Sequence, residues 1–241
     1  MIKNLNDYGI AFNGRHSKEF GLDVLSKKIG FPGKNKIIKT IPFSNEIYDF
    51  TEVYGTQTYT ERSFEIVFHI LDRAHWDKES MYIMWTKVVA WLMEPSRKIP
   101  LYDDIMKDYY YLAEVQEKPS FDELRYNGKL SVMFQCYPFR IHELAEGNDI
   151  WDTFNFELDM AQLVKHDVKG SKAINLFNIG ISNLTPVVVA STQMEIRSKG
   201  KLYTVLSGEN KLVGFNLLPG LNEFEVFGNG TIEFGFHKEV I

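Results

Sequence analysis

The sequence predicts a mainly β protein with one long helix, and three patterns carry this prediction. Residues 62–70 alternate apolar and polar side chains at the two-residue period of a strand, so Phe64, Ile66, Phe68 and Ile70 share one face. The next segment changes to the helical period. The second half of the chain contains short β-rich runs separated by turn residues, a spacing typical of a two-sheet β-sandwich.

The predicted helix covers residues 77–93. Asp77 is a suitable N-cap, and the helix should end at Glu94-Pro95 because a residue before proline avoids the α region. Tyr82, Val89 and Met93 widen the apolar arc to about 200°, more than a helix on one sheet requires. Either the helix is sunk between its own sheet and nearby loops, or part of the arc meets another subunit. The apolar side is formed by Met81, Met84, Trp85, Val88, Val89, Trp91 and Leu92.

Short strands separated by glycines precede this region, and two more strands follow at residues 37–43 and 46–54. Ser44-Asn45 between them is suitable for a hairpin turn. Because this hairpin is rich in Ile, Phe and Tyr and lies beside the basic run Lys34 to Lys39, it is either an arm that reaches a neighbour or the completion of its own sheet. The core candidates before it are Phe12, Phe20, Leu22 and Val24.

A second strand is predicted at residues 128–139, and the polar segment Glu143 to Asp149 reads as a linker. We therefore predict an N-terminal domain over residues 1–145 and a C-terminal domain over 146–241. Tyrosines support this division, because only Tyr203 lies beyond Tyr137. The C-terminal strands are predicted at residues 152–158, 172–179, 186–190, 192–198, 201–206, 211–218, 222–227 and 231–238, with turns that include Gly228-Asn229-Gly230.

The sequence offers no recognisable catalytic or cofactor motif, so we predict a protein that is not an enzyme, with no catalytic residues, no cofactor and no metal. His69 and His75 are the closest histidine pair but lack metal-site spacing. Asp103-Asp104 is expected to cap backbone amides, since adjacent carboxylates point apart. Cys136 is alone in an apolar strand, which indicates a buried, inert thiol.

Net charge and hydropathy limit the remaining function classes. The net charge of -5 argues against a protein that grips nucleic-acid phosphates. No apolar run approaches the roughly 20 residues that span a bilayer, and the N-terminus lacks a signal-peptide core. We therefore expect synthesis in the cytoplasm and no contact with membranes.

Several segments in order resemble the distal tail protein (Dit) family of long-tailed phages. The resemblance runs nearly end to end, although each motif alone is only moderately specific. It also includes the strand that begins at Arg62 and the helix that carries Trp91-Leu92. The segments are FNGRHSKEFGLDV (12–24), LYDDIMKDYYYLAEV (101–115), GKLSVMFQCYPF (128–139) and LLPGLNEFEVFGNGTIEFGF (217–236).

This resemblance implies both a fold and a function. The N-terminal domain would be an α+β belt domain resembling tail-tube folds, and the C-terminal domain a galectin-like β-sandwich. The chain would form a homo-hexameric ring at the distal end of a long non-contractile tail, within the virion. It would join the tail tube protein to the tail tip or tail-associated protein and to baseplate or receptor-binding proteins, with DNA only passing through the channel.

The rival hypothesis is a carbohydrate-binding or host cell-wall adhesion module, for which Trp151 and Tyr203 are the large amphipathic rings of the C-terminal domain. The ring hypothesis instead requires apolar surface that contacts another copy. Our candidates for this oligomer interface are Ile38, Ile41, Phe43, Tyr48, Phe50, Tyr82 and Met93.

Overall fold

The computed structural model describes residues 8–53, 56–70, 77–124, 127–148, 150, 155, 157 and 159–241. These residues form a mainly β structure with one α-helix, as predicted. They fall into two compact units. The first contains the described residues of Met1–Asn35, Thr58–Ile141 and Ile241, and the second those of Lys36–Gln57 and His142–Val240.

The strands are numbered in chain order, and the helix α1 (Lys78–Met93) lies between the eighth and the ninth. They are β1 (Ile10–Phe12), β2 (Arg15–His16), β3 (Asp23–Ile29), β4 (Lys34–Asn35), β5 (Ile38–Thr40), β6 (Ile47–Asp49), β7 (Thr58–Tyr59), β8 (Arg62–Ile70), β9 (Ile99–Asp103), β10 (Tyr109–Val115), β11 (Ser120–Glu123), β12 (Gly128–Ala145), β13 (Lys165–Asn178), β14 (Val187–Ala190), β15 (Met194–Ser198), β16 (Lys201–Val205), β17 (Gly208–Lys211), β18 (Gly220–Gly235) and β19 (His237–Val240).

The core of the first unit lies between α1 and a large sheet with the strand order β2-β1-β9-β10-β12-β8-β3. β8 and β12 are antiparallel, with Phe64 opposite Phe134. The predicted alternation of β8 is confirmed, because every second side chain from Arg62 to Ile70 is buried. Trp91 of the helix fixes the two layers together, since its Nε1 donates a 2.8 Å hydrogen bond to the carbonyl of Phe12.

Both ends of the helix lie where the sequence placed them, although one reason was wrong. The Asp77 carboxylate accepts a 2.7 Å hydrogen bond from the Ser80 amide, which confirms the N-cap. Glu94 has φ -60° and ψ -43°, so it stays in the α region even though it precedes proline. The helix ends there because Pro95 has no N–H with which to continue the hydrogen-bond ladder.

β12 is longer than predicted and extends to Ala145 instead of ending at residue 139. Part of the segment read as a linker is therefore strand. Alternation does not predict this extension, because the buried phase changes within the strand: Cys136 and Pro138 are buried at even positions, and Phe139 and Ile141 at odd positions. From His142 onward the strand belongs to the second unit. The carbonyl of His142 lies 2.9 Å from the Nδ1 of His237 in that unit.

The second unit is built around β18. β13 pairs with it along its whole length, from Lys165 opposite Glu233 to Asn178 opposite Gly220. The other strands follow in the order β16-β15-β18-β14-β17, so all six belong to one hydrogen-bonded sheet. The inward side chains of this sheet enclose a separate core that includes Phe215, Phe224 and Phe234.

Two predictions for this unit were wrong. The expected turn at Gly228-Asn229-Gly230 is continuous strand, and a Cβ at Gly228 would lie 2.8 Å from the Cγ of Met194. Glycine is needed there for close approach of a neighbouring strand, not for a turn. Residues 211–218 form no strand beyond Lys211, apart from an isolated bridge between Leu184 and Leu217. The strand predicted at 152–158 lies mostly outside the described residues.

Candidate assembly interface

The two adjacent carboxylates do not converge on a common site. Asp103 pairs with Lys27, and its Oδ1 accepts a 3.1 Å hydrogen bond from the Ile105 amide. Asp104 accepts a 2.9 Å hydrogen bond from the Gly9 amide and lies 3.2 Å from the Nε2 of His16. The expectation that these acids cap backbone amides is therefore confirmed.

Other chemistry-bearing groups also have structural partners. A cavity of about 100 Å³ in the first unit is lined by Lys27 and Arg140 among others, yet Lys27 is paired with Asp103 and Arg140 donates to the Ile241 carbonyl. Within the described ranges, no three His, Cys, Asp or Glu side chains are grouped as metal ligands, and His75 lies outside those ranges. The same ranges contain no helix with the length and apolar character to cross a bilayer.

Cys136 is fully buried in β12. Burial raises the pKa of its thiol to about 12, so the reactive thiolate is scarce at neutral pH. This matches the inert thiol expected from the sequence.

The predicted hairpin is present, and we call residues 36–53 the arm. β5 and β6 pair with Lys39 opposite Tyr48, and they belong to no other sheet among the described residues. The turn lies at Pro42-Phe43 and not at the predicted Ser44-Asn45: the Ser44 amide donates a 3.2 Å hydrogen bond to the Ile41 carbonyl, and Phe43 has a left-handed φ of 64°. An isolated two-stranded hairpin is at best marginally stable in water, so the arm needs a covering partner.

Both faces of the arm carry exposed apolar side chains. Alternation places the Tyr48 and Phe50 rings on one side, where they stack with centroids 6.3 Å apart. The opposite side presents Ile38 and Ile47. We call the first side the aromatic face, and it comprises Ile37, Ile41, Tyr48 and Phe50.

All seven interface candidates are exposed, with fractions from 41% to 110% of the residue's reference surface. Five of them lie on the arm and two on the outer side of α1. Large apolar residues concentrated in this way mark a contact surface more often than scattered ones do. Their role in contacts stays a prediction.

The outer side of α1 forms a second exposed apolar surface. We call it the helix stripe, and it comprises Tyr82, Ile83, Thr86, Ala90 and Met93. The sequence argument missed Ile83 and Ala90, although both lie within the same arc as Tyr82 and Met93. Val89, which also widened the predicted arc, packs half-buried against the core. Within the described ranges, β11 contacts the stripe at Tyr82 through Phe121 and Glu123, and every member of the stripe stays exposed.

Tyr82 is held in place while part of its ring stays exposed. Its hydroxyl donates a 2.7 Å hydrogen bond to Glu123, and the ring packs edge-on against Trp85 at 5.8 Å. Lys78 completes the group by pairing with the other oxygen of Glu123. Hydrogen bonds from Lys78 and Tyr82 hold the pKa of Glu123 below its ordinary value. The ring is thus pre-organised, which reduces the entropy lost when a partner covers it.

A short stalk in the first unit leads into the arm. β4 and β7 pair immediately before and after it, with Asn35 opposite Thr58. Below this ladder, Arg62 is buried and donates to the carbonyls of Gly30 at 2.9 Å and Pro138 at 3.3 Å. Burial lowers the pKa of this guanidinium. Sequence reasoning missed its role, although Arg62 lies in the buried phase of the β8 alternation.

The second unit provides little support for a sugar platform. Trp151 lies outside the described residues. The Tyr203 hydroxyl donates to the Gly214 carbonyl at 2.9 Å, and its ring packs edge-on against buried Phe215 at 5.5 Å. Tyr203 therefore has a structural role.

The whole chain is similar to the crystal structure of SPP1 Dit (gp 19.1), described as a paradigm of the hub adsorption apparatus in phages that infect Gram-positive bacteria. The TM-score is 0.67 at 13% identity, over 97% of this chain and 99% of that chain. The phage P2 baseplate in its activated conformation with Ca also matches, at a TM-score of 0.39 and 11% identity, over 96% of this chain and 97% of that chain. No family model and no curated protein matches the sequence. The chain therefore has the fold of a phage distal tail protein.

Proposed function

We propose that this chain is a structural protein of a phage tail, which forms a hexameric ring at the distal end and joins the tail tube to the tail tip. One observation carries the proposal: the Dit-like fold spans nearly the whole chain. The exposed arm and helix stripe add the surfaces that assembly requires. No catalytic step is part of this function.

The two domains would divide the work. Residues 1–145 would form the belt that builds the ring, and residues 146–241 a galectin-like sandwich that faces baseplate or receptor-binding proteins. Tail DNA would pass through the central channel without being held, since a chain of net charge -5 attracts polyanions poorly. A channel lined with Lys and Arg would contradict this last point.

Ring formation follows from the geometry of repeated contacts. When one surface of a protein binds a different surface of the next copy, the copies form a ring if the rotation closes and a filament if it does not. Such a contact needs two distinct sticky surfaces on each chain, and apolar residues supply most of the driving force.

The test is the mass of the purified protein in solution, followed by electron microscopy of the assembled species. We expect a closed ring for the wild type and loss of the ring for Phe43→Asp, with weaker assembly for Tyr48→Ala. Val213→Asp is the control, because Val213 is almost fully exposed in the second unit and lies outside both proposed surfaces. A wild type that stays monomeric at all concentrations would refute the proposed function.

A further inference from the structure

We propose that the aromatic face of the arm packs against the helix stripe of the adjacent copy, so that these two surfaces are the two halves of one interface. This inference rests on the proposed function and deepens it. The occupant of each surface is a second copy of the same chain.

The two surfaces match in length. The aromatic face extends over the four residue steps from Ile37 to Ile41, about 14 Å at the rise of a strand. The helix stripe extends over the eleven steps from Tyr82 to Met93, about 16 Å at the rise of a helix. An arm laid along the helix would therefore cover the stripe from end to end.

They also match in shape. Thr86 and Ala90, the small members of the stripe, lie between Tyr82 and Met93, so the exposed surface of the helix is lowest in its middle. The stacked rings of Tyr48 and Phe50 project from the arm as a single broad ridge. Small residues on one element allow the close approach of large ones on the other, which gives the contact density of a protein interior.

Charge complements this apolar match. Both surfaces have exposed lysines and glutamates beside their apolar residues, among them Lys39 and Glu46 on the arm and Glu79 and Lys87 on the helix. None of the four forms an ion pair with another described residue. Lys39 and Glu46 therefore remain available to pair with glutamate and lysine side chains on the helix of the next copy.

An arm-to-arm contact explains less. It would bring the same face of two copies together, produce a two-fold dimer instead of a ring, and leave the helix stripe exposed. The arm-to-stripe contact covers both surfaces in every copy. It also links successive copies head to tail, as a ring requires.

The first experiment mixes two defective variants. Phe50→Asp damages the arm and Ala90→Arg damages the stripe, so each variant alone should be monomeric by sedimentation velocity. In a 1:1 mixture the intact arm of Ala90→Arg can bind the intact stripe of Phe50→Asp, while the other two surfaces are damaged. We therefore expect dimers but no rings. Mixing Phe50→Asp with a second arm variant, Tyr48→Asp, should yield monomers only.

The second experiment traps the contact, so that a weak single interface is still detected. The native cysteine is fully buried, which leaves engineered cysteines as the reactive ones. Under oxidation, Tyr48→Cys combined with Ala90→Cys should give a ladder of disulfide-linked oligomers that ends at the ring size. Tyr48→Cys combined with Val213→Cys is the matched control and should give no ladder.

The outcomes separate this inference from the proposed function. A wild-type ring without linked oligomers in the Tyr48/Ala90 double variant, or with a disulfide formed inside one chain, would overturn the inference and leave the ring intact. Dimers from two mixed arm variants would also overturn it. A wild type that never assembles would instead refute the proposed function itself.

Discussion

Two antiparallel strand pairs of this chain show what the same alternating pattern does in two settings. β13 and β18 pair over fourteen positions, and Phe224, Val226, Ile232 and Phe234 on β18 are buried in the core of their own unit. β5 and β6 pair over three positions, and every residue from Lys34 to Phe50 is exposed.

This difference shows that an alternating pattern predicts a strand with an apolar face. It does not predict whether that face packs against the same chain or against another one. The β13/β18 pair is covered by its own chain, so its apolar residues contribute to the stability of the monomer. The arm has comparable side chains with no cover among the described residues, so their contribution appears only in an assembly. Four experiments test this contrast, from the largest expected effect to the smallest.

The largest expected effect is a difference in thiol reactivity. In the native protein at pH 8, Cys136 should react with an alkylating reagent at least about 1,000-fold more slowly than an exposed cysteine at Tyr48→Cys in an unassembled background, because of both burial and its raised pKa. Since its pKa is raised, the thiol stays protonated through neutral pH and reactivity should increase as pH rises toward 12. Mass spectrometry of the labelled chain measures both sites, and equal rates would contradict the buried position.

The next contrast is between two phenylalanines. Phe234→Ala should lower the free energy of unfolding by about 3–5 kcal/mol, since it removes a fully buried ring from a packed core. Phe50→Ala should change it by no more than about 0.5 kcal/mol in the monomer, because exposed positions contribute little. Urea denaturation measures both free energies of unfolding, at protein concentrations too low for the chains to assemble. A large loss for Phe50→Ala would show that the arm is covered by its own chain.

A pair of glycines tests why β18 is continuous. Gly228 and Gly170 are cross-strand neighbours and both have positive φ, but a Cβ would meet Met194 only at Gly228. Gly228→Ala should therefore cost about 1–3 kcal/mol more than Gly170→Ala, as overpacking does. Thermal unfolding of both variants measures the difference. Equal costs would show that Met194 moves aside for the added Cβ without a measurable penalty.

The smallest expected effect concerns the stalk of the arm. Arg62→Lys places one ammonium where the guanidinium reached two carbonyls, so it should cost about 1 kcal/mol of stability. If Arg62 fixes the base of the arm, the same variant should also require more protein to form rings. Assembly is measured by mass across a dilution series, with a stability-matched core variant as the control. An unchanged assembly threshold would restrict Arg62 to a stabilising role.

Much of this architecture could be predicted from the sequence, because it depends on local periodicity. β8, α1 and the arm hairpin have patterns long or distinctive enough to identify by themselves. The continuity of β18 could not be predicted, since Gly228 and Gly230 have the composition of a turn and only the packing of Met194 and Ser191 explains them. Residues 211–218 were misassigned for the converse reason: Phe215 and Leu217 fill a core from a loop.

The candidate interface was only partly predictable. The wide apolar arc of α1 correctly indicated Tyr82 and Met93 as exposed, but the boundary between covered and uncovered residues depends on how the helix is rolled on the sheet. Val89 and Ala90 are neighbours in sequence and fall on opposite sides of that boundary. Arg62 was recognisable only by its phase within β8, and its two carbonyl partners are distant in sequence.

The outer edges of β5 and β6 have a further consequence. Each presents amide and carbonyl groups that no other described strand satisfies. Such borders template the addition of foreign strands, and here they lie next to large apolar side chains. Overproduced, unassembled chains should therefore precipitate as β-rich fibrils unless ring closure is faster than fibril formation. A charged residue introduced on the outer edge of β5 or β6 should delay this precipitation.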